Sequence, residues 1–272
     1  MSSWLSGPVI KPPAKPPAIL NMTHFGSGFF SCCSVRLHYI IEYFNKYRKI
    51  PEAVNSDNMF DWYRPGITES YFTEEPIQIK YGRRIDYEEF HQYINYMKLD
   101  YSGLELFIKK YFSPSEEIQA IVEYIEAKYQ FQYENTCVLF YRGNDKATET
   151  ELPEYHDYIV RAKQLLEKEP SLRFLVQSDE TEFIEAMETA FPGKCVVFRD
   201  EIRHIPKSLT TVDKVFKDDN FKFSKYYLAI TLIMSKCKHV ICGSGNCSLW
   251  IALFRGNSLN MQQFQKSKWI VA

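Results

Sequence analysis

The 272-residue chain has no run approaching the 18 to 20 apolar residues that span a bilayer, and its N-terminus, MSSWLSGPVIKPPAKPPAIL, has no long uninterrupted apolar core. No membrane span is expected, and a cytoplasmic location fits. The chain also lacks a charge of one sign. Its 33 basic and 34 acidic residues leave a formal net charge of -1, so nothing draws it to nucleic acid or to an anionic membrane without a local site. Disulfide and zinc frameworks are missing too. The seven cysteines are odd in number and scattered at 32, 33, 137, 195, 237, 242 and 247, with no CxxC pair beside matching histidines, so neither a structural zinc site nor any other metal site is expected. A reducing compartment suits them. Neither GxxxxGK[ST] nor GxGxxG occurs, which counts against a P-loop kinase or a simple dehydrogenase.

What the chain has is apolar bulk, 45% hydrophobic and 16% aromatic residues, enough for two packed units. Five of the thirteen prolines fall within residues 7 to 17, giving an extended arm over 1–17. Residues 18–133 then form a first α/β domain and 134–272 a second. In the first, a short strand over 18–22 leads into HFGSGFFSCCS, with Gly26 and Gly28, and then a helix over 35–47. The two glycines either admit a ligand close to the backbone or serve a tight turn. Trp62, Tyr63 and Tyr71 are sugar-stacking candidates or core. Helical stretches are expected over IDYEEFHQYINYMKLDY and SPSEEIQAIVEYIEAKYQF, with Ser113 or Ser115 capping the second and Pro114 in its first turn.

The second half is built around CVLFYRGNDK, an apolar strand ending in a charged loop at Arg142 to Lys146. A helix over 155–169, a strand over 173–178, a helix over 181–191 and a strand over 195–198 follow. After a polar stretch come an apolar helix over 225–237, the strand HVICG and a glycine turn before SLWIALFRG. This alternation predicts a parallel, doubly wound sheet. Three strand ends then share one edge: Arg142, Asn144, Asp145 and Lys146; Ser178 and Asp179; and Ser244, Gly245, Asn246, Cys247 and Ser248. Arg142 suits a diphosphate clamp, or else a surface ion pair with Asp145. Backbone amides of the glycine turn and the following helix dipole would face the same anion. Asp179 either binds a ribose hydroxyl or purine, or caps the helix that begins near Thr181.

The succession SPSEEIQAIVEYIE, VLFYRGNDKATETE, RFLVQSDETEFIEAMETAFPG and HVICGSGNCSLW resembles the donor half of the fucosyltransferase superfamily, which includes the α-1,6, nodulation and protein O-fucosyltransferases. The loop HFGSGFFSCCSVRLH is similar to the start of their acceptor domain. The resemblance implies a GT-B fold, in which two Rossmann-like domains face each other across a cleft. It implies an inverting, metal-independent glycosyltransferase of the hexosyltransferase class, which takes GDP-fucose as donor and a glycan or protein hydroxyl as acceptor, with no other cofactor. The arginine of the family's HxRRxDK motif matches Arg142, which would bind the β-phosphate; Asp145 and Lys146 match its last two positions. Phe140 stands where histidine is common and Gly143 where the α-1,6 enzymes carry a second arginine. The ATDD-like segment matches Gln177 to Glu180, near the guanosine, and the serine-containing turn matches Gly243 to Asn246, with Gly245 and Asn246 replacing the serine pair. Glu149 and Glu151 flank the position of the base, and Glu149 is the candidate. The substitutions at 140, 143, 245 and 246 also suit a catalytically silent relative that binds a glycan or nucleotide sugar.

Overall fold

A computed structural model describes residues 15–23, 26–63 and 68–272. Most of the expected proline-rich arm lies outside the described residues. The fold is α/β, and its organising strand is β5 (Thr136–Tyr141), every residue of which is buried. A strand covered on both faces cannot alternate polar and apolar residues, which is why TCVLFY reads as a continuous run.

The chain leaves β5 through α5 (Tyr155–Lys168) to β6 (Arg173–Ser178), then through α6 (Thr181–Ala190) to β7 (Cys195–Val196), a strand two residues shorter than expected. It returns by the single turn α7 (Val212–Val215) and the long α8 (Asn220–Lys236) to β8 (His239–Gly243), on the other side of β5. Helix α8 starts five residues before its apolar stretch. From β8, α9 (Asn246–Arg255) leads to β9 (Met261–Gln265), and β10 (Lys268–Val271) folds back antiparallel at the edge. The sheet order is β10-β9-β8-β5-β6-β7, parallel from β9 to β7. Strand order reverses at β5, where neighbouring connections run to opposite faces and leave a crevice beyond the carboxyl ends of β5 and β8.

In the first half, β1 (Ile19–Asn21) pairs parallel with β2 (Ala53–Asn55), and α1 (Phe29–Tyr47) connects them. Helix α1 begins at Phe29, within the stretch expected as loop, directly after Gly28 at the N-cap. Apolar packing explains the early start, because Phe29, Phe30, Cys32 and Cys33 are buried. The turn α2 (Thr68–Tyr71) leads to β3 (Phe72–Thr73), which pairs with β4 (Ser113–Pro114) around α3 (Tyr101–Tyr111). Helix α4 (Glu116–Tyr129) follows, capped by Ser115, whose oxygen accepts from the Ile118 amide at 3.4 Å. Pro114 belongs to β4, one residue before the cap.

The helix expected over 85–101 is absent. Its place is taken by two 3-10 turns, Glu89–Tyr93 and Tyr96–Lys98, and the α-helix starts only at Tyr101. The cause is tertiary: the Tyr96 amide donates to Gln263 Oε1 at 2.9 Å, and the Asn95 side chain takes the Met97 amide at 2.9 Å, so donors that a helix would use are satisfied elsewhere. Asp100 then caps α3 by accepting from the Gly103 amide at 3.0 Å. One hydrophobic core runs from Met22 to Met261 and includes both halves.

Candidate functional site

The loops after β5, β6 and β8 meet the Gly26 to Ser31 segment of the first half around a cavity of about 440 Å³. Of the residues singled out in the sequence, Gly26, Gly28, Arg142, Asp145, Lys146, Glu149, Asp179, Gly245, Asn246 and Cys247 line it. Asn144, Ser178, Ser244 and Ser248 do not. Trp62 also lines the cavity, and its indole stands so close to Gly26 that a Cβ there would meet Nε1 at 2.8 Å.

Arg142 sits where β5 ends. Its Nη1 donates to Asp179 Oδ2, and its Nη2 donates to Asp145 Oδ1 at 3.1 Å. Burial alone would lower the pKa of the guanidinium, but Asp179 and Asp145 outweigh it and hold the group charged. The other oxygen of Asp179 takes the Gly143 amide at 2.9 Å. The buried Asp179 carboxylate therefore serves as the bracket for the arginine loop, and the N-cap position of α6 belongs to Glu180. Ser178 supports this corner by accepting the Glu180 amide at 3.0 Å.

Gly143 is explained by the same corner. A Cβ on it would lie 2.0 Å from Glu180 Oε2 and 2.7 Å from the Tyr141 ring, so no side chain fits at this position. Asn144, at a φ of 48°, adopts the left-handed conformation that its short polar side chain tolerates. Its amide donates to Glu180 Oε2 at 3.1 Å, its Nδ2 to the Asp179 carbonyl at 2.7 Å, and its Oδ1 accepts from the Ser208 amide at 2.9 Å.

Lys146 is buried. Its Nζ lies 2.6 Å from Glu149 Oε2, 3.1 Å from Gln92 Oε1 and 3.4 Å from the Tyr93 hydroxyl, which donates to Glu149 at 3.0 Å. Burial pushes the Glu149 pKa up, but these contacts outweigh it and hold the carboxyl below its ordinary value. Asp145 moves the other way: burial, with Asp179 and Glu149 nearby, raises it against the pull of Arg142. Asp145 is thus made more basic than an ordinary aspartate, and Glu149 less basic than an ordinary glutamate. Glu151 is farther out, bonded by Ser267.

The stem of Lys146 packs against the glycine turn, 3.4 Å from where a Gly245 Cβ would stand, and so joins the first loop to the third. The Gly245 amide is not free. It donates to the Tyr96 hydroxyl at 3.0 Å, which has the Gly245 and Gln92 carbonyls, each at 3.0 Å, as acceptors for its own proton. Ser244 donates to the Phe264 carbonyl at 2.8 Å. Helix α9 begins immediately after the turn with no side-chain cap, its first internal bond running from the Leu249 amide to the Gly245 carbonyl. The three amides before Leu249 have no intrahelical acceptor, and the positive end of the helix faces the cavity at Asn246 and Cys247. The Asn246 side chain turns away, with Oδ1 accepting from Ser34 at 2.7 Å. Burial pushes the Cys247 thiol up to about 11.

Sequence reading passed over the segment from Gln92 to Tyr96 and the pair Arg203 and Asp213, which lie 2.6 Å apart in the cavity wall. Only the mixture of charge and aromatic residues in 199–224 hinted at the latter. Among the described residues no group of three or more His, Cys, Asp or Glu side chains is placed to hold a metal ion, and no helix is long and apolar enough to cross a membrane.

No protein-family model and no curated protein matches the chain. Among solved structures it is similar to the NodZ α-1,6-fucosyltransferase soaked with GDP-fucose, at 10% identity and a TM-score of 0.40 over 63% of this chain and 53% of that one. The fucosyltransferase NodZ from Bradyrhizobium overlaps at 12% identity and a TM-score of 0.40, over 64% and 52% of the two chains. A mutant of Arabidopsis thaliana FUT1 in complex with GDP overlaps at 9% identity and a TM-score of 0.37, over 90% and 49%. This chain thus spans about half the length of those enzymes, and at such scores no residue role passes from them to it.

Proposed function

We propose that the cleft binds a nucleoside diphosphate sugar, with GDP-fucose the first candidate, and that the protein is an inverting, metal-independent glycosyltransferase acting on a glycan or protein hydroxyl. One observation carries the reading: Arg142 and the uncapped first turn of α9 line the same cavity at the point where strand order reverses. The donor's identity rests on the resemblance of the motifs around Arg142, Asp179 and Gly245. A diphosphate bound there would receive the guanidinium and the α9 amides, which stabilise the charge that develops on the departing nucleotide.

Both carboxylates on Arg142 compete for that guanidinium. Asp145, with its side chain 23% exposed, is the displaceable partner, whereas Asp179, at 5%, is fixed by the Gly143 amide. Displacement by phosphate would release Asp145 from its cation and raise its basicity further, which makes it the acceptor-activating base ahead of Glu149. Titration with GDP-fucose, GDP-mannose and UDP-glucose, followed by a GDP-release assay, tests the proposal. It fails if no GDP-sugar binds.

A second reading, a binding protein without turnover, is favoured by the Lys146 to Glu149 pair and by the Tyr96 hydroxyl on the Gly245 amide, since both occupy groups that catalysis would use. Binding of GDP-fucose with no GDP release across a broad acceptor panel would establish it.

A further inference from the structure

On the opposite side of the 142–154 loop lies a second recess, of about 580 Å³, whose chemistry differs from that of the cleft. Tyr141, Glu151, Glu154, Tyr155, Glu180 and Lys207 are among its walls. Three of these are carboxylates and one is a lysine, so the recess is formally acidic. An acidic rim alone is commonplace, but the floor is not. Glu180 is fully buried, and only one of its oxygens is used: Oε2 accepts the Asn144 amide at 3.1 Å, while Oε1 has no hydrogen-bond partner. The Tyr155 hydroxyl is likewise buried without a partner. Buried polar atoms are almost always satisfied; a carboxylate oxygen can only accept and a phenolic oxygen can accept as well as donate, so a donor reaching both would satisfy the recess.

We propose that this recess binds a primary alkylammonium group, seated between Glu180 Oε1 and the Tyr155 hydroxyl. The class follows from the acceptors. A guanidinium makes best use of both oxygens of a carboxylate, and here one is already committed to the backbone, whereas an ammonium is a compact charge whose donors suit separate single acceptors. The ring of Tyr155 offers a cation a second attraction, already used by Lys207, whose Nζ lies 5.7 Å from the ring centroid. Leu152, Pro153 and the exposed Leu209 provide apolar surface for the alkyl stem. Glu180 is closed off from solvent here, so an entering ammonium parts the side chains above it. Lys207 is the movable one.

The test uses the full chain, with heat of binding and thermal shift as readouts, and butylammonium against neutral 1-butanol as probes. Butylammonium is expected to bind and raise Tm while butanol does neither. Lys207→Met, which removes the competing internal cation, is expected to tighten butylammonium binding by a few fold, and Glu180→Gln to weaken it about tenfold. Should Glu180→Gln misfold because its carboxylate holds Asn144, Lys207→Met, at a surface side chain, decides. Equal effects of butanol and butylammonium, weaker binding in Lys207→Met, or unchanged binding in a folded Glu180→Gln would overturn the proposal. Spermidine and a Gly-Lys-Gly peptide distinguish the sources: preference for the first identifies a free polyamine and for the second a lysine side chain, and failure of both alongside butylammonium overturns the site.

Discussion

Arg142 and Asp179 hold each other across the ends of β5 and β6, and the carboxylate oxygen not used by the guanidinium takes the amide of Gly143. The arginine is thereby aimed before any ligand arrives, at the cost of a bound countercharge. Arg142→Lys keeps the positive charge beside Asp179 but gives up the fork that reaches two acceptors at once. Its affinity for GDP should fall about tenfold or more with the melting temperature nearly kept, as isothermal titration and a thermal melt would show.

Asp145→Asn removes the more exposed of the two competitors for Arg142. GDP should bind up to about fivefold more tightly, the scale of a partly exposed ion pair, while turnover drops sharply if Asp145 is the base. The pH profile offers an independent check. Because the pKa of Asp145 is raised, activity should rise with pH through a value above the ordinary one for an aspartate. Turnover as fast in Asp145→Asn as in the natural protein would return the role to Glu149.

Gly143→Ala introduces a Cβ where Glu180 Oε2 would be 2.0 Å away. Glu180 is fully buried and bonded to the Asn144 amide, so it cannot simply swing aside. Overpacking of this kind costs about 1–3 kcal/mol, and a thermal melt should fall by several degrees with the arginine loop displaced.

Tyr96→Phe separates stability from ligand binding. The hydroxyl is buried on the Gly245 turn, and its loss should cost about 1–3 kcal/mol through carbonyl and amide groups left unpaired. The same change frees the Gly245 amide toward the cleft. A lower melting temperature with GDP affinity no weaker than before is the expected pair of results, and a parallel loss of both would make Tyr96 a plain structural support.

Acidification should destabilise the fold in a window set by histidine. Burial lowers the pKa of His91, partly offset by Asp86 and Glu88 and reinforced by His38, and burial with Arg199 lowers that of His204. Between the ordinary value near 6.5 and these lowered values the unfolded chain binds more protons than the folded one. Stability is therefore greater above about pH 6.5 and is lost as pH falls below it. Asp100 and Glu149, whose pKa values are also lowered, lose their contribution only at more acid pH. A melt series from about pH 7.5 to about pH 5.5 should show the decline, and His91→Gln should flatten it.

The second half of the fold was legible because its signals are local. A parallel strand buried on both faces shows as an unbroken apolar run, and β5, β6 and β8 were visible in that way, along with α5, α6 and the clustering of three strand ends. The first half was harder. Its sheet pairs are two or three residues long, and the 85–101 segment looks helical until Gln263, 167 residues away from Tyr96, takes the backbone amide. Long-range hydrogen bonds leave no periodic trace. At the site, Arg142, Asp145 and the glycine turn could be found from their places at strand ends. That Asp179 serves as a bracket, and that Tyr96 covers Gly245, depends on which side chain reaches which atom.

The meeting of α1 and α9 has a consequence for how the chain can be divided. Ser34 in α1 gives its proton to Asn246 and receives that of the Trp250 indole at 3.0 Å, and Trp250, fully buried, packs against Phe30 and Phe112. A cut between α4 and β5 would leave the indole nitrogen without its acceptor and uncover the largest side chain of the core. Each fragment is therefore expected to lose stability on its own, and the second half would need redesign along α9 before use as a separate module.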